Sequence, residues 1–140
     1  MTATKGWEEN QREVTSFHTV EEFWRLYNNI KMVSDLRQGC DYSLFKKGIR
    51  PMWEDDANIR GGRWLINLEK KQRSSDLDNF CKGDKIALWT ANASNSESNV
   101  AIGRKLKERL CIPSNLTIGY QHHKDTMVRA GSMTKNAYTV

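Results

Sequence analysis

The fold is decided around residues 60–68, where the sequence reads Arg-Gly-Gly-Arg-Trp-Leu-Ile-Asn-Leu. Apolar residues crowd the second half of this stretch behind two glycines, which is typical of a turn that leads into a strand. The run Pro51-Met52-Trp53 lies before the glycines, beyond several charged residues. The pattern from 50 to 68 therefore predicts a hairpin or a pair of strands joined by a long loop.

Two stretches carry a helical pattern. Thr19 and Glu22 form a capping box, and apolar residues then recur at helical spacing as far as about Ile30. After a polar loop, Ser96 would cap a second helix that ends near Leu110. Both helices are long enough to cover one face of a sheet.

Two further short strands are predicted at residues 85–90 and 116–121. The chain contains no internal repeat and no low-complexity block. Strands and helices in this order predict an α+β domain with helices covering one face of an antiparallel sheet.

Length and charge restrict the class of protein. The chain has 140 residues, enough for one domain, and carries a formal net charge of +5 from 22 Lys and Arg against 17 Asp and Glu. The two signs are interleaved. This balance favours an anionic partner, although a mildly basic surface without a partner explains the charge equally well.

Three cysteines, Cys40, Cys81 and Cys111, form no Cys-x-x-Cys pair. They indicate neither a disulfide framework nor a zinc site, so we expect reduced thiols. The first residues lack the apolar stretch of a signal peptide, and no run of eighteen apolar residues occurs. We therefore expect a soluble protein of the cytoplasm, with the nucleus as an open alternative, and no membrane partner.

The most informative side chains are Trp7 and the pair Trp53-Glu54. Two indole rings could sandwich a purine, and a carboxylate could accept the paired donors on the edge of guanine. A methylated, cationic purine would gain cation–π attraction in addition. The alternative is that Trp53 packs in a core and that Glu54 belongs to an acidic loop with no ligand.

Basic residues that could hold phosphates lie in the second half of the chain. The candidates are Arg63, Lys82, Lys85 and, less closely placed, Lys135. Lysines at the start of a strand are usually only solvated. Of the remaining tryptophans, Trp64 fits simple packing, whereas Trp24 could be a core residue or an exposed anchor for a partner peptide.

Six runs of residues, in order along nearly the whole chain, resemble the eukaryotic translation initiation factor 4E family, which binds the 5′ cap of messenger RNA. They are residues 19–24 (TVEEFW), 41–46 (DYSLFK), 51–55 (PMWED), 60–64 (RGGRW), 75–78 (SDLD) and 82–89 (KGDKIALW). The resemblance implies a curved antiparallel sheet with helices on its convex face. It also implies binding of the 7-methylguanosine cap and participation in translation initiation.

The resemblance assigns a role to each matching position. Trp7 and Trp53 match the tryptophans that stack on the cap base, Glu54 matches the acid that reads guanine, and Trp89 matches the tryptophan that touches the methyl group. Arg63, Lys82 and Lys85 match residues that contact the cap phosphates. Val20 and Trp24 match positions that grip the scaffold factor 4G and the 4E-binding proteins, and Ser132 matches a regulatory phosphorylation site.

The chain also departs from the family pattern. A first strand with two more tryptophans has no counterpart, and the sequence passes directly from Phe80 to Cys81 where the family has a helix and a buried strand. We expect about 25–30 residues to be missing there, from ordinary element lengths. The lost part includes the second helix of the 4G-binding face and an arginine that grips phosphate. Alternative splicing or a gene-model error would produce such a junction.

Three functional expectations follow from this shortened form. It could be a cap-binding initiation factor with weakened 4G recruitment, a regulatory form that competes for cap or partners, or an inactive product that is partly disordered or prone to aggregation. We expect no enzyme, metal or cofactor, because His18, His122 and His123 accompany no nucleophile or ligand set. The pair His122-His123 is expected to be solvated in a polar loop.

Overall fold

The computed structural model describes residues 10–67, 85–128 and 135–140. Its helices and strands, in chain order, are α1 (Val20–Tyr27), β1 (Gly62–Asn67), β2 (Lys85–Thr90), α2 (Ser96–Arg109), β3 (Gly119–His122), α3 (His123–Val128) and β4 (Tyr138–Thr139). A short 3₁₀ turn covers Val33–Asp35. The chain divides into two compact units, residues 1–32 and residues 33–140.

Helix α1 belongs to the first unit and begins at the predicted capping box. The Thr19 hydroxyl accepts from the amide of Glu22 at 3.2 Å, and the Glu22 carboxylate accepts from the amide of His18 at 2.7 Å. The helix ends at Tyr27, three residues before the predicted end. Asn29 folds its side-chain amide back to the carbonyl of Arg25 at 2.7 Å, which competes with continuation of the helix.

The second unit is built on an open, four-stranded antiparallel sheet with the order β2-β1-β3-β4. β1 is central, and its residues pair with β2 from Gly62↔Thr90 to Asn67↔Lys85. On its other side β1 pairs with β3, from Gly62↔His122 to Leu65↔Gly119. This arrangement confirms the predicted α+β class with an antiparallel sheet.

Trp64 and Tyr120 form the centre of the core, with none of either side chain exposed. Their rings meet edge to face at a centroid distance of 5.4 Å. Helix α2 packs onto them through Gly103, where any side chain would collide with the indole of Trp64. The indole nitrogen of Trp64 donates to the carbonyl of Asn99, in the first turn of α2, at 3.1 Å. The packing role predicted for Trp64 is therefore confirmed.

A buried polar network fixes the start of α2 against the sheet. The side chain of Asn99 donates to the carbonyl of Asn92 and accepts from the hydroxyl of Thr90, both at 2.9 Å. The same hydroxyl lies 2.7 Å from the phenol oxygen of Tyr120. Burial raises the pKa of Tyr120. The helix cap is Asn95, whose side chain accepts from the amide of Ser98, and not Ser96 as predicted.

The prediction of a strand pair from 50 to 68 is wrong for its first half. Residues 51–60 form consecutive turns, and β1 pairs with β2 and β3 instead. The reason is local. The side chains of Asp55 and Asn58 form hydrogen bonds with main-chain amides and carbonyls of this segment, which a strand would have paired with a neighbouring strand. The last predicted strand also begins later, at Gly119, and ends one residue further on at His122.

Candidate functional site

Three of the predicted site residues lie on one face of the sheet. Successive residues of a strand point to opposite faces, and Arg63 lies directly opposite Trp89 in the pairing of β1 with β2. Lys85 lies on the same face of β2 as Trp89, four residues earlier. This face is opposite to the one on which Trp64 packs against α2. The two strands thus bring a guanidinium, an indole and an exposed ammonium to one surface.

Arg63 is half-buried, and its Nε is buried without a hydrogen-bond partner among the described residues. Burial lowers the pKa of Arg63 from its ordinary value, although the group remains a cation at neutral pH. A buried donor on a cation that lacks an acceptor is costly. The arrangement therefore favours an anionic or carbonyl oxygen at this position.

The indole of Trp89 contacts two other rings. Phe45 meets it edge to face at a centroid distance of 5.3 Å, and His123 approaches on a tilt of 52° at 4.3 Å. Trp89 itself is partly exposed. Its neighbours therefore restrict the orientation of the ring, while the residue as a whole remains partly exposed.

His123 is the buried member of this cluster, with only 2% of its surface exposed. Burial, with Arg63 and His122 as neighbouring basic groups, lowers the pKa of His123 to about 4, so the ring is neutral at physiological pH. Its Nε2 has no hydrogen-bond partner among the described residues. The expectation of a solvated His122-His123 pair is wrong, because β3 continues through His122, which is itself partly buried, and α3 begins at His123.

Trp53 and Glu54 lie in the turn segment before β1, with Trp53 partly buried and Glu54 exposed. Asp55 organises this segment, because its carboxylate accepts from the amides of Ala57 at 3.0 Å and Arg50 at 3.1 Å. These bonds, the one from Ala57 first, lower the pKa of Asp55. The Nε of Arg50 lies 3.6 Å from the same carboxylate.

Gly61 joins this segment to the sheet. Its amide donates to the carbonyl of Asn58 at 2.7 Å, and its own carbonyl accepts from the amide of His123 at 3.1 Å. A Cβ at this position would collide with the carbonyl oxygen of Thr90, at the end of β2. Only glycine fits at this position. Gly61 therefore holds the end of the turn segment that carries Trp53 against the sheet, two residues before Arg63.

The other predicted site residues are placed separately or lie outside the described ranges. Lys135 is exposed and precedes β4. Val20 and Trp24 lie on α1 in the first unit, with 68% and 51% of their surfaces exposed, so the structure places Trp24 at the surface rather than in a core. Trp7, Lys82 and Ser132 lie outside the described residues.

Sequence reasoning missed five residues that shape this region: Asp55, Asn58, Gly61, Phe45 and His123. The Asp-x-x-Asn spacing of Asp55 and Asn58 is a turn signal that could have been read. The contacts of Phe45 and His123 depend on tertiary packing and left no local pattern.

Among the described residues, no group of three metal-ligating side chains occurs. No helix in that part of the chain is both long and apolar enough to cross a membrane. Cys40 and Cys111 are exposed free thiols.

The fold and this surface define an α+β domain with an aromatic, basic sheet face. A sequence model of the family described as eukaryotic initiation factor 4E matches residues 1–82 and 77–138. The human eukaryotic translation initiation factor 4E is 48% identical over 165 residues, covering 98% of this chain and 76% of the relative. The chain therefore belongs to the eukaryotic initiation factor 4E family.

Solved structures of similar proteins agree with this membership. The crystal structure of Ascaris suum eIF4E-3 with an m2,2,7G cap matches all of this chain and 91% of that chain, with a TM-score of 0.85 and 36% identity. A complex of C. elegans eIF4E-3 with the 4E-binding protein Mextli and a cap analog also gives a TM-score of 0.85, at 33% identity and with the same coverage. The predicted resemblance and fold are thereby confirmed.

The comparisons also locate the shortened region. The alignment with the human relative is 165 residues long and this chain has 140, so at least 25 aligned positions (165 − 140) have no residue here. The family model matches in two segments that meet at residues 77–82. This range contains the predicted junction between Phe80 and Cys81.

Proposed function

We propose that this chain binds the 7-methylguanosine cap of messenger RNA and takes part in translation initiation in the cytoplasm. The observation that carries the proposal is the pairing of Arg63 with Trp89 on one sheet face, with the Nε of Arg63 buried and unpartnered among the described residues. Family membership and the cap complexes of similar proteins point the same way. The chain acts as a binding protein and not as an enzyme.

Each part of the cap would meet a different group. Trp53 would stack on the methylated base, a role that the family resemblance also assigns to Trp7, and the positive charge of that base strengthens the stacking by cation–π attraction. Glu54 would accept from the Watson–Crick edge of guanine, which presents paired donors that adenine lacks. Trp89 would contact the methyl group.

The phosphates would meet the basic residues. A phosphate oxygen near Arg63 would supply the acceptor that its buried Nε lacks, which offsets part of the cost of burial. Lys82, Lys85 and Lys135 would add charge along the path of the phosphates. Lys85 is exposed and on the same face as Arg63, which is the placement this role requires. Ser132 matches a regulatory phosphorylation site of the family, and added negative charge on the chain would weaken its attraction for the phosphates.

A titration of the purified chain with 7-methyl-GTP, followed by tryptophan fluorescence, tests this function. Unmethylated GTP is the control ligand, and circular dichroism of the same sample reports folding. Methyl-dependent quenching is expected. Absence of quenching from a folded sample would contradict the proposal.

Glu54→Gln provides the sharper test, because it removes one charge without changing the size of the side chain. We expect it to lower affinity for 7-methyl-GTP by about 5- to 150-fold, since a charge-assisted bidentate contact is worth roughly 1–3 kcal/mol. Asp56→Asn is the matched control, because Asp56 is an exposed carboxylate two residues away. Equal losses from both variants would indicate a general acidic-loop effect and would contradict a specific role for Glu54.

We propose Val20 and Trp24 as contacts for the helical motif of factor 4G or of a 4E-binding protein. Both side chains are largely exposed on α1, where Phe23, Trp24 and Tyr27 form a cluster with centroid distances of 5.2–5.8 Å. A similar protein is solved in complex with a 4E-binding protein. Exposed aromatic side chains that are already held by neighbours are typical anchors of an interface.

A second candidate function is a regulatory form that competes for cap or partners without supporting initiation. The observation that favours it is the absence of at least 25 aligned residues next to the start of β2. Addition of the chain to a cap-dependent translation extract separates the two functions. Stimulation after depletion of the endogenous factor indicates an initiation factor, whereas inhibition without rescue indicates a competitor.

A further inference from the structure

His123 lies where β3 ends and α3 begins, and both its main-chain amide and its main-chain carbonyl are hydrogen-bonded. Its amide donates to the carbonyl of Gly61 at 3.1 Å, and its carbonyl accepts from the hydroxyl of Thr126 at 2.7 Å. These bonds hold the first residue of α3 against the start of β1. The imidazole therefore has a defined direction, and it is directed at Trp89, with 4.3 Å between the ring centroids.

The rings of His123 and Phe45 both contact the indole of Trp89. Phe45 stands nearly perpendicular to it, at 88°, and His123 is tilted by 52°. His123 is almost fully buried, and the close packing of protein interiors restricts its movement. The pair of rings therefore restricts the rotamers of Trp89.

The charge of His123 bears on what Trp89 can bind. The basic groups that act on it are Arg63 from β1 and His122 from β3, and Trp89 from β2 and Phe45 bring no charge. A protonated imidazole here would itself form a cation–π interaction with the indole, and its charge would repel a cationic ligand. A neutral imidazole leaves the attraction of the indole available to such a ligand.

We propose that His123 is a positioning residue for Trp89, and that its neutral ring thereby sets the preference of the site for a cationic methylated base over the uncharged base. The inference rests on the proposed cap binding by the same site. His123 does not touch the ligand in this scheme and acts through Trp89.

Three substitutions separate ring shape from charge. His123→Phe keeps a neutral ring, His123→Gln keeps neutrality and similar size without a ring, and His123→Arg brings a permanent charge. The matched control is His122→Gln, since His122 is the same residue type, adjacent in sequence, and has its ring near Tyr120 and Tyr138 instead. Affinities for 7-methyl-GTP and GTP are measured for each variant, with thermal melting to confirm folding.

The measured quantity is the ratio of the two affinities. We expect His123→Phe and His122→Gln to keep the wild-type ratio, and His123→Gln to lower it by about three- to tenfold, the size of one cation–π contact. His123→Arg is expected to lower it further. The inference would be overturned if His123→Arg kept the wild-type ratio, or if His123→Phe lowered the ratio as much as His123→Arg does. This comparison uses only the Phe and Arg variants, so it stands even if His123→Gln does not fold.

A second readout does not depend on the cap. The indole N–H resonance of Trp89, assigned with Trp89→Phe, is expected to shift in His123→Gln and to stay in place in His122→Gln. If the wild-type chain shows no methyl preference, the proposed function fails, whereas nuclear Overhauser contacts between the rings of Trp89 and Phe45, kept in His122→Gln and lost in His123→Gln, still decide whether His123 positions Trp89. A resonance that does not move in His123→Gln would overturn the positioning role.

Discussion

The side-chain amide of Asn58 donates to the main-chain carbonyl of Met52 at 2.7 Å, and the same amide reaches the carbonyl of Arg50 at 2.9 Å. Asn58 is buried, so neither bond is readily replaced by water. One side chain thus closes the turn segment on the residue that precedes Trp53. The position of the Trp53-Glu54 pair depends on it.

Asn58→Ala is expected to lower the free energy of unfolding by about 1–3 kcal/mol, because it removes two hydrogen bonds of a buried side chain, to the carbonyls of Met52 and Arg50, the first of them buried. Affinity for 7-methyl-GTP is expected to fall as well, since Trp53 loses its support. Urea unfolding and ligand titration measure the two effects. Asn115→Ala, at an exposed asparagine, is the control, and similar losses in both variants would contradict the role of Asn58.

Gly103→Ala is expected to destabilise the protein by about 1–3 kcal/mol, because the new methyl group meets the indole of Trp64. Helix propensity alone predicts the opposite sign, a gain of about 1 kcal/mol. Ala101→Gly, at an exposed position of the same helix, calibrates the propensity term. A stabilised Gly103→Ala variant in urea unfolding would show that α2 does not pack on Trp64 as described.

The pKa of His123, near 4 in the folded chain against about 6.5 in the unfolded chain, predicts a loss of stability in acid. The unfolded state takes up a proton first, so the contribution is fully present above pH 6.5 and is lost as pH falls to 4. The loss over this window is about 3 kcal/mol. His123→Phe has no such group, so its stability is expected to fall less than that of the wild type between pH 7 and pH 4 in urea unfolding. Parallel curves for the two proteins would contradict the lowered pKa.

Val20→Ser is expected to weaken binding of a 4G-type helical peptide by about tenfold, since a largely exposed apolar anchor on α1 would lose its contact area. Calorimetry with the peptide measures the effect. Val14→Ser provides the control, because Val14 is similarly exposed, at 63%, and lies outside the helix. Unchanged affinity in the Val20 variant would remove α1 from the interface.

Local sequence patterns predicted those parts of the fold that depend on local chemistry. Strand β2 was predicted with its observed bounds, and the capping box of Thr19 and Glu22 forms as expected. Residues 50–60 were misread, because the side chains of Asp55 and Asn58 satisfy backbone groups that a strand would have paired. That competition depends on geometry and is not visible in hydrophobic periodicity.

The candidate site likewise contains residues that local motifs predict and residues that only tertiary packing reveals. Arg63 and Trp89 could be named from their motifs, and the register of β1 with β2 then places them opposite each other. His123 could not be found, because its surroundings come from Phe45 and from β2, both distant in sequence. A histidine next to another histidine in a polar stretch carries no local sign of burial.

The pairing of β1 with β2 has a consequence for the shortened region. The 17 residues from 68 to 84 connect Asn67 to Lys85, which are already paired neighbours, and the junction at 77–82 falls within this connection. All six rungs of the β1–β2 ladder lie outside this connection, from Gly62↔Thr90 to Asn67↔Lys85. A shorter connection costs less closure entropy, about 0.6 kcal/mol for each halving of its length. A connection of 17 residues keeps the contact order of the β1–β2 pairing low, which favours its early formation during folding.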